Sequence, residues 1–353
     1  MLIDYNMSAE YCSDWSPIDA IREMVQNAID SGEKYECSIE NNTIKVITYN
    51  TELPLETLML GHSIKSENAI GKYGEGYKIG MLVLSREGLD PIINTGDTLI
   101  SGAFIENQFG VDTFNLVIED HTDHAVYNDN IKFICSIEFS CSIGNISLDE
   151  LKSKIPAFTG EELELPTSVD IWQHRPGEIF VNGLWVTNSD LVFGYNFSPD
   201  RINLNRDRNM VDGVHWQLAE FYAELGVDYA ETIFNLIEQD APDVSDLSYR
   251  LHDTELKAEL ARLFYNKYGE GAKIAKPGTS YYGGGFNISV GSNASMLYSR
   301  CGIEEAKKTI DPDSPEQVLI EWMKENKSKL RRDVRVSLEK LITRAKGWNK
   351  SKF

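Results

Sequence analysis

Apolar positions recur with two different periods along this chain, and the period changes at punctuating residues. Over residues 20–32 (AIREMVQNAIDSG), Ile21, Val25, Ala28 and Ile29 fall at helical spacing. The start is marked by Ser16-Pro17-Ile18-Asp19, which offers an N-cap serine, proline at the first helical position and an acid at the third. YECSIE and TIKVITY switch to a period of two around Asn41-Asn42 and predict a β-hairpin. KIGMLVLSREG returns to an apolar helix closed by Gly88. TLISGAFIE, TFNLVIED and IKFICSIEF read as further strands, and 148–155 as a short helix before a boundary zone marked by Pro156 and Pro166. GEIFVNGLWV then predicts strand, turn and strand. Residues 214–239 predict a long helix with a possible break at Gly226, and 256–268 another. SYYGGGFNISVGSN reads as a loop, and 304–310, 315–329 and the C-terminal tail as helical. The pattern predicts an α+β chain in three parts. Residues 1–165 form a sandwich of a mixed sheet with helices on one face, 166–323 a second α/β domain, and 324–353 a basic helical tail.

Charge refines this outline. The chain of 353 residues carries a net charge of −21, which argues against a surface built to coat nucleic acid. The charge is uneven. Residues 324–353 hold eleven Lys/Arg against three Asp/Glu, a net of +8, leaving −29 on the remainder. The favoured reading is a basic helix lying on its own acidic body, with a nucleic-acid, membrane or acidic-partner contact as the lesser alternative. Five cysteines with no C-x-x-C or Cys/His cluster fit a reducing cytosol and argue against a disulfide framework or zinc site. The N-terminus has no signal-peptide pattern, and no apolar run reaches the length of a membrane span, so a cytoplasmic location is expected.

The candidate chemistry lies on the first helix and the glycine turn after it. Glu23, Asn27 and Asp30 are spaced to share one helical face, opposite the apolar one. Such a helix lines a cleft. Some forty residues later, IGKYGEGYKI places Gly71, Gly74 and Gly76 so that backbone N–H groups can converge on an anion. A helix starting behind them adds its positive end, with Glu75 inside the turn and Lys78 just beyond it.

The order E-x-x-x-N-x-x-D then G-x-x-G-x-G resembles the GHKL superfamily of ATPases, which includes gyrase B, the Hsp90 chaperones, MutL and the histidine kinases. The resemblance implies a nucleotide-binding α/β sandwich followed by a transducer-like domain. It implies ATP as ligand and Mg²⁺ as cofactor, with Asn27 as the metal ligand, Glu23 as general base and Asp30 fixing local geometry or meeting the base through water. Gly71, Gly74 and Gly76 would hold the phosphates, with Lys65 and Lys78 adding charge. Gly61-His62-Ser63-Ile64-Lys65 resembles the start of the family's ATP lid, placing Ser63 and Lys65 near phosphate. The family's second motif, D-x-G-x-G, is altered: Thr48 falls where its aspartate is expected, and Asn50 and Glu52 at its glycines. A neutral oxygen on Thr48 or Asn50 would accept from adenine more weakly than a carboxylate. RINLNRDRN, with Arg206 and Arg208, reads either as a loop knitted by local Arg–Asp pairs or, as the resemblance implies, as the segment of the next domain from which one arginine or Asn205 reaches the γ-phosphate.

Through YCSDWSPIDAIREMVQNAID, IGKYGEGYKIGMLVLSREG and FVNGLWV…FGYNF…LNRDRNMVD, over roughly residues 10–215, the chain is similar to the phage rIIA-type proteins. That resemblance implies a phage or host protein partner in the host cytoplasm and a role in lysis control or escape from host exclusion. A nucleotide-dependent homodimer is a further expectation, as in the gyrase, Hsp90 and MutL members. The alternative is a nucleotide-binding scaffold without turnover, marked by the altered second motif. A histidine kinase is disfavoured, because no separate helix carries a phospho-acceptor histidine.

Overall fold

The computed structural model describes residues 1–59, 75–120, 135–160, 164–205, 211–275, 287–306 and 315–345. Helix α1 spans Pro17–Asp30 and starts as its capping residues dictate. The Ser16 hydroxyl accepts from the Asp19 N–H, and the Asp19 carboxylate accepts from the Ser16 N–H at 2.9 Å. Two otherwise orphaned donors are satisfied at once. Strands β2 (Tyr35–Glu40) and β3 (Thr43–Tyr49) follow, joined through Asn41 and Asn42, both at positive φ as a tight hairpin requires. Helix α2 covers Gly76–Arg86. It ends at Gly88, whose N–H bonds to Ser85 O while that of Leu89 reaches Leu84 O, the paired closure typical of a left-handed glycine.

Strands β4 (Ile92–Thr95), β5 (Thr98–Glu106), β6 (Asp112–Asp120) and β7 (Ser136–Ser142) join β2, β3 and an N-terminal strand β1 (Leu2–Asp4) in one sheet. Its order is β1-β6-β5-β4-β7-β3-β2. Every pairing in it is antiparallel, so the mixed sheet expected here is corrected. The reason is topological. β3 and β4, linked through α2, do run parallel, but β7 lies between them and opposes both. α1 packs on β2 and β3, α2 packs on β5, and the helices pack on each other. Ile21, Val25, Met81 and Leu82 from the helices share a core with Ile44, Val46, Ile93, Ile100 and Phe139 from the sheet.

The chain divides into two units, Met1–Gln217 and Leu218–Phe353. The boundary expected at 165/166 thus falls inside the first. Helix α3 (Leu148–Lys154) and strands β8 (Val169–Trp172), β9 (Glu178–Val181), β10 (Leu184–Asn188) and β11 (Gly194–Phe197) belong with it. These strands form a second sheet, ordered β10-β9-β11-β8, in which β9 and β11 run parallel. Leu184 enters the core of the larger sheet, and Arg175 donates to Ser153 O at 2.9 Å. A short pair, β12 (Asn203–Leu204) with β13 (Val211–Asp212), also lies in this unit.

The second unit is mainly helical. The predicted long helix is broken at Gly226, at positive φ, into α4 (Val214–Leu225) and α5 (Ala230–Glu238). Then come α6 (Leu247–Arg250), α7 (Thr254–Tyr268), β14 (Lys273–Ala275), β15 (Asn287–Ser289), α8 (Ser292–Arg300), α9 (Pro315–Asn326) and α10 (Arg332–Ala345). Two expectations change here. Part of the predicted loop pairs as β15, parallel to β14, and residues 292–300 form α8. The first residues of the helix expected at 304–310 are extended instead, Ile274 bonding to Glu304 O and Ala306 to Ile274 O. Phe234, Phe264 and Tyr298 pack as an aromatic core beside Glu238, which accepts from Lys267 Nζ at 2.6 Å and from the hydroxyls of Tyr268 and Tyr298. No helix among the described residues is long and apolar enough to cross a membrane.

Candidate functional site

The polar face of α1 meets the first turn of α2. Glu23 is 4 % exposed, and its carboxylate lies against Gly76, the first residue of α2. A Cβ on Gly76 would stand 2.0 Å from Glu23 Oε2. Four residues on, a Cβ on Gly80 would meet Met24 Cε at 2.8 Å and the Ala20 carbonyl oxygen at 3.2 Å. Gly76 and Gly80 therefore share the α2 face that approaches α1, and the missing side chains let the helices come close enough to seat the carboxylate. Asn27, one turn along α1 from Glu23, and Asp30, one turn further, are both half-buried. Asp30 Oδ1 accepts from Gln26 Nε2 at 3.1 Å. Gln26 is fully buried and is a site neighbour that the sequence pattern passed over. Its signal was its position, four residues ahead of Asp30 on the same helix.

Lys78, expected to add charge near a phosphate, is completely buried, and its Nζ donates to Met59 O. Burial pushes its ammonium down to about 8, against the opposing pull of the Glu75 carboxylate. Its neighbours do related work on residues 57–59. The Tyr77 hydroxyl donates to Thr57 O at 2.8 Å, and that of Tyr5 donates to Leu58 O. Burial raises the Tyr77 phenol to about 12. Three side chains thus tie the 57–59 backbone to the start of α2 and to the N-terminal segment. Glu75 takes the N-cap position of α2 without a side-chain capping bond.

Thr48 is buried near the end of β3, opposite Tyr35 on one side and Ile137 on the other. Thr95 of β4 faces Ile137 in turn, so two threonines flank one isoleucine across the sheet. Thr95 Oγ1 already accepts from the Leu53 N–H at 2.9 Å. Asn50 is exposed, at φ 54°, and its side chain reaches Glu33 at 3.4 Å. Ser63, Lys65, Gly71, Gly74, Arg206 and Arg208 lie outside the described residues.

The structure thus brings Glu23 and Gly76 into contact, with Asn27 and Asp30 further along the same helical face. No protein-family model matches the sequence. The chain is similar to an uncharacterized protein of Mycoplasma pneumoniae, 24% identical over 233 residues that span 59% of this chain and 88% of that protein.

Proposed function

We propose that this chain binds and hydrolyses ATP in the manner of the GHKL ATPases, with Glu23 as general base and Asn27 as the nucleotide's metal anchor. The observation that carries the reading is the Glu23–Gly76 contact. It joins the two sequence motifs, forty residues apart, at the positive end of one helix. The donor set fits Mg²⁺, which takes hard oxygen ligands, few of them from protein, and keeps phosphate oxygens and water for the rest. Mg²⁺ would be held by the Asn27 side-chain oxygen and would supply neutralising charge at the phosphates. Glu23, one turn away, orients the attacking water and takes its proton. The first-turn N–H groups of α2 would face a phosphate bound at that helix end. Phosphoryl transfer needs positioning and charge neutralisation more than covalent participation, and these groups supply both. From the resemblance to the phage rIIA-type proteins, the nucleotide state would be relayed to a host or phage partner in the cytoplasm.

A second reading has one observation in its favour. Thr48 offers a neutral hydroxyl where the family has a carboxylate, which suits a weak binder or a scaffold without turnover. Calorimetry with ATP-Mg and GTP-Mg, followed by a phosphate-release assay, separates the two. Asn27→Ala should abolish binding. Glu23→Ala should keep it and lower turnover by ~10²–10⁴-fold. Unchanged affinity in Asn27→Ala refutes the placement of the site. Binding by the wild type without phosphate release leaves the scaffold reading.

A further inference from the structure

Gln26 carries an unmet hydrogen-bond acceptor on the polar side of α1. It is 1 % exposed, and its Nε2 donates to Asp30 Oδ1 at 3.1 Å. A carboxylate accepts, so this bond settles which end of the amide faces Asp30 and which end is Oε1. Oε1 is buried, and no donor among the described residues meets it. An interior acceptor left unmet destabilises a fold, and an apolar side chain of the same length, such as methionine, would avoid that. Position 26 holds an amide instead. Successive residues are ~100° apart around a helix, which puts Gln26 ~60° from Glu23, with Asp30 between them. Residues three apart on a helix have their Cβ atoms about 5–6 Å from one another, a spacing that one water can bridge.

We infer that Gln26 holds the attacking water together with Glu23, an inference that rests on the ATPase reading above. The water donates one O–H to Glu23, which takes that proton, and the other to Gln26 Oε1, which takes none. With both hydrogens held, its remaining lone pair faces the terminal phosphorus. The new O–P bond forms as the bond from phosphorus to the ADP oxygen breaks, and ADP leaves with that electron pair. Gln26 is unchanged at the end of the cycle. Asp30 acts through it, gripping the amide N–H so that Oε1 cannot rotate away. The unmet acceptor of the resting protein is thus filled during the reaction, and its effect falls on the orientation of water rather than on the affinity for nucleotide.

The test compares wild type with Gln26→Met, which keeps the length and removes both donor and acceptor. Calorimetry gives the dissociation constant for ATP-Mg, phosphate release gives kcat and KM, and thermal unfolding gives Tm. The variant should bind ATP-Mg as tightly as wild type and unfold no earlier, because the unmet acceptor is gone. Its kcat should fall on the order of 10²-fold with KM unchanged. A second measurement uses the wild type alone. The side-chain amide nitrogen resonance of Gln26 should move downfield when Mg²⁺ and a non-hydrolysable ATP analogue are added, since a donor arriving at Oε1 polarises the amide. Wild-type kcat in Gln26→Met, or a resonance that stays in place, overturns this inference and leaves the ATPase reading intact. A lower Tm with turnover lost shows Gln26 to be structural and overturns it as well. Wild-type binding without phosphate release overturns it and leaves the scaffold reading. Absence of ATP-Mg binding by the wild type overturns both the inference and the site assignment.

Discussion

Gly76→Ala isolates the contact on which the site depends. The new methyl carbon would sit 2.0 Å from Glu23 Oε2, whereas ordinary contact begins near 3.4 Å. The carboxylate must retreat by roughly 1.4 Å to make room. The obstacle is the far end of a flexible side chain, so the fold can absorb the change. Alanine also has up to ~1 kcal/mol more helix propensity than glycine, and stability should stay within about 1 kcal/mol of wild type. Catalysis is less forgiving, since a 1 Å misplacement of a reacting group costs on the order of 10²-fold. Gly80→Ala provides the contrast. Its methyl would press on Met24 Cε, which can turn away, and on the Ala20 carbonyl of a packed helix, which cannot. Overpacking of ~1–3 kcal/mol, less the propensity gain, should leave it up to about 2 kcal/mol less stable. Urea unfolding and phosphate release at saturating ATP-Mg give both readouts. Wild-type turnover in Gly76→Ala would refute the argument that this glycine positions the base. A stability loss above ~3 kcal/mol in the same variant would show that the contact is structural.

Two further expectations concern packing and pH. Arg86, at the end of α2, donates to the carbonyls of Ala9, Tyr11 and Cys12 at 3.3, 3.0 and 3.1 Å and to that of Trp15 at 2.6 Å. Arg86→Ala should cost roughly 1.5–3 kcal/mol, with new proteolytic cleavage within residues 9–15, because most of those carbonyls can turn to water; an unchanged urea midpoint would contradict it. In the second unit, burial alone would raise the Glu238 carboxyl, but Lys267, Tyr268 and Tyr298 donate to it and hold it below its ordinary value of 4.5. Its contribution to stability is therefore present above pH 4.5 and is lost as pH falls through the lower folded value. Glu238→Gln should flatten that part of the pH–stability curve, and an unchanged acid limb would show that other carboxylates set it.

What could be read from sequence divides by the range of the interaction involved. The start of α1 was legible because Ser16, Pro17 and Asp19 satisfy helix-end donors locally. The β2–β3 hairpin was legible because Asn41 and Asn42 tolerate the required backbone. β1 and β4, of three and four residues, carry too little alternation to be seen, and only their partners define them. The stretch beginning at Glu304 has helical composition, but pairing with Ile274 decides its shape. The same division holds at the site. Glu23, Asn27 and Asp30 followed from one helical period. The bond from Lys78 to Met59 O depends on where the chain returns after folding, which no local pattern encodes.

Strand β7 sits in the middle of the larger sheet, yet it is the last of the seven strands in the chain. Until it is made, the sheet is two separate pieces. One is the β2–β3 hairpin, with the inner edge of β3 unpaired, and the other is the β4–β6 meander, with the inner edge of β4 unpaired. Each of those edges finds its partner only in β7. During synthesis the nascent chain therefore carries two open strand edges, the kind of surface that pairs with other chains. Closing them requires contacts far apart in sequence, such as Val46 with Phe139, which slows folding relative to local pairing. A chain released before residue 142 would hold the whole polar face of α1 and still lack the strand that joins the two halves of the sheet beneath it.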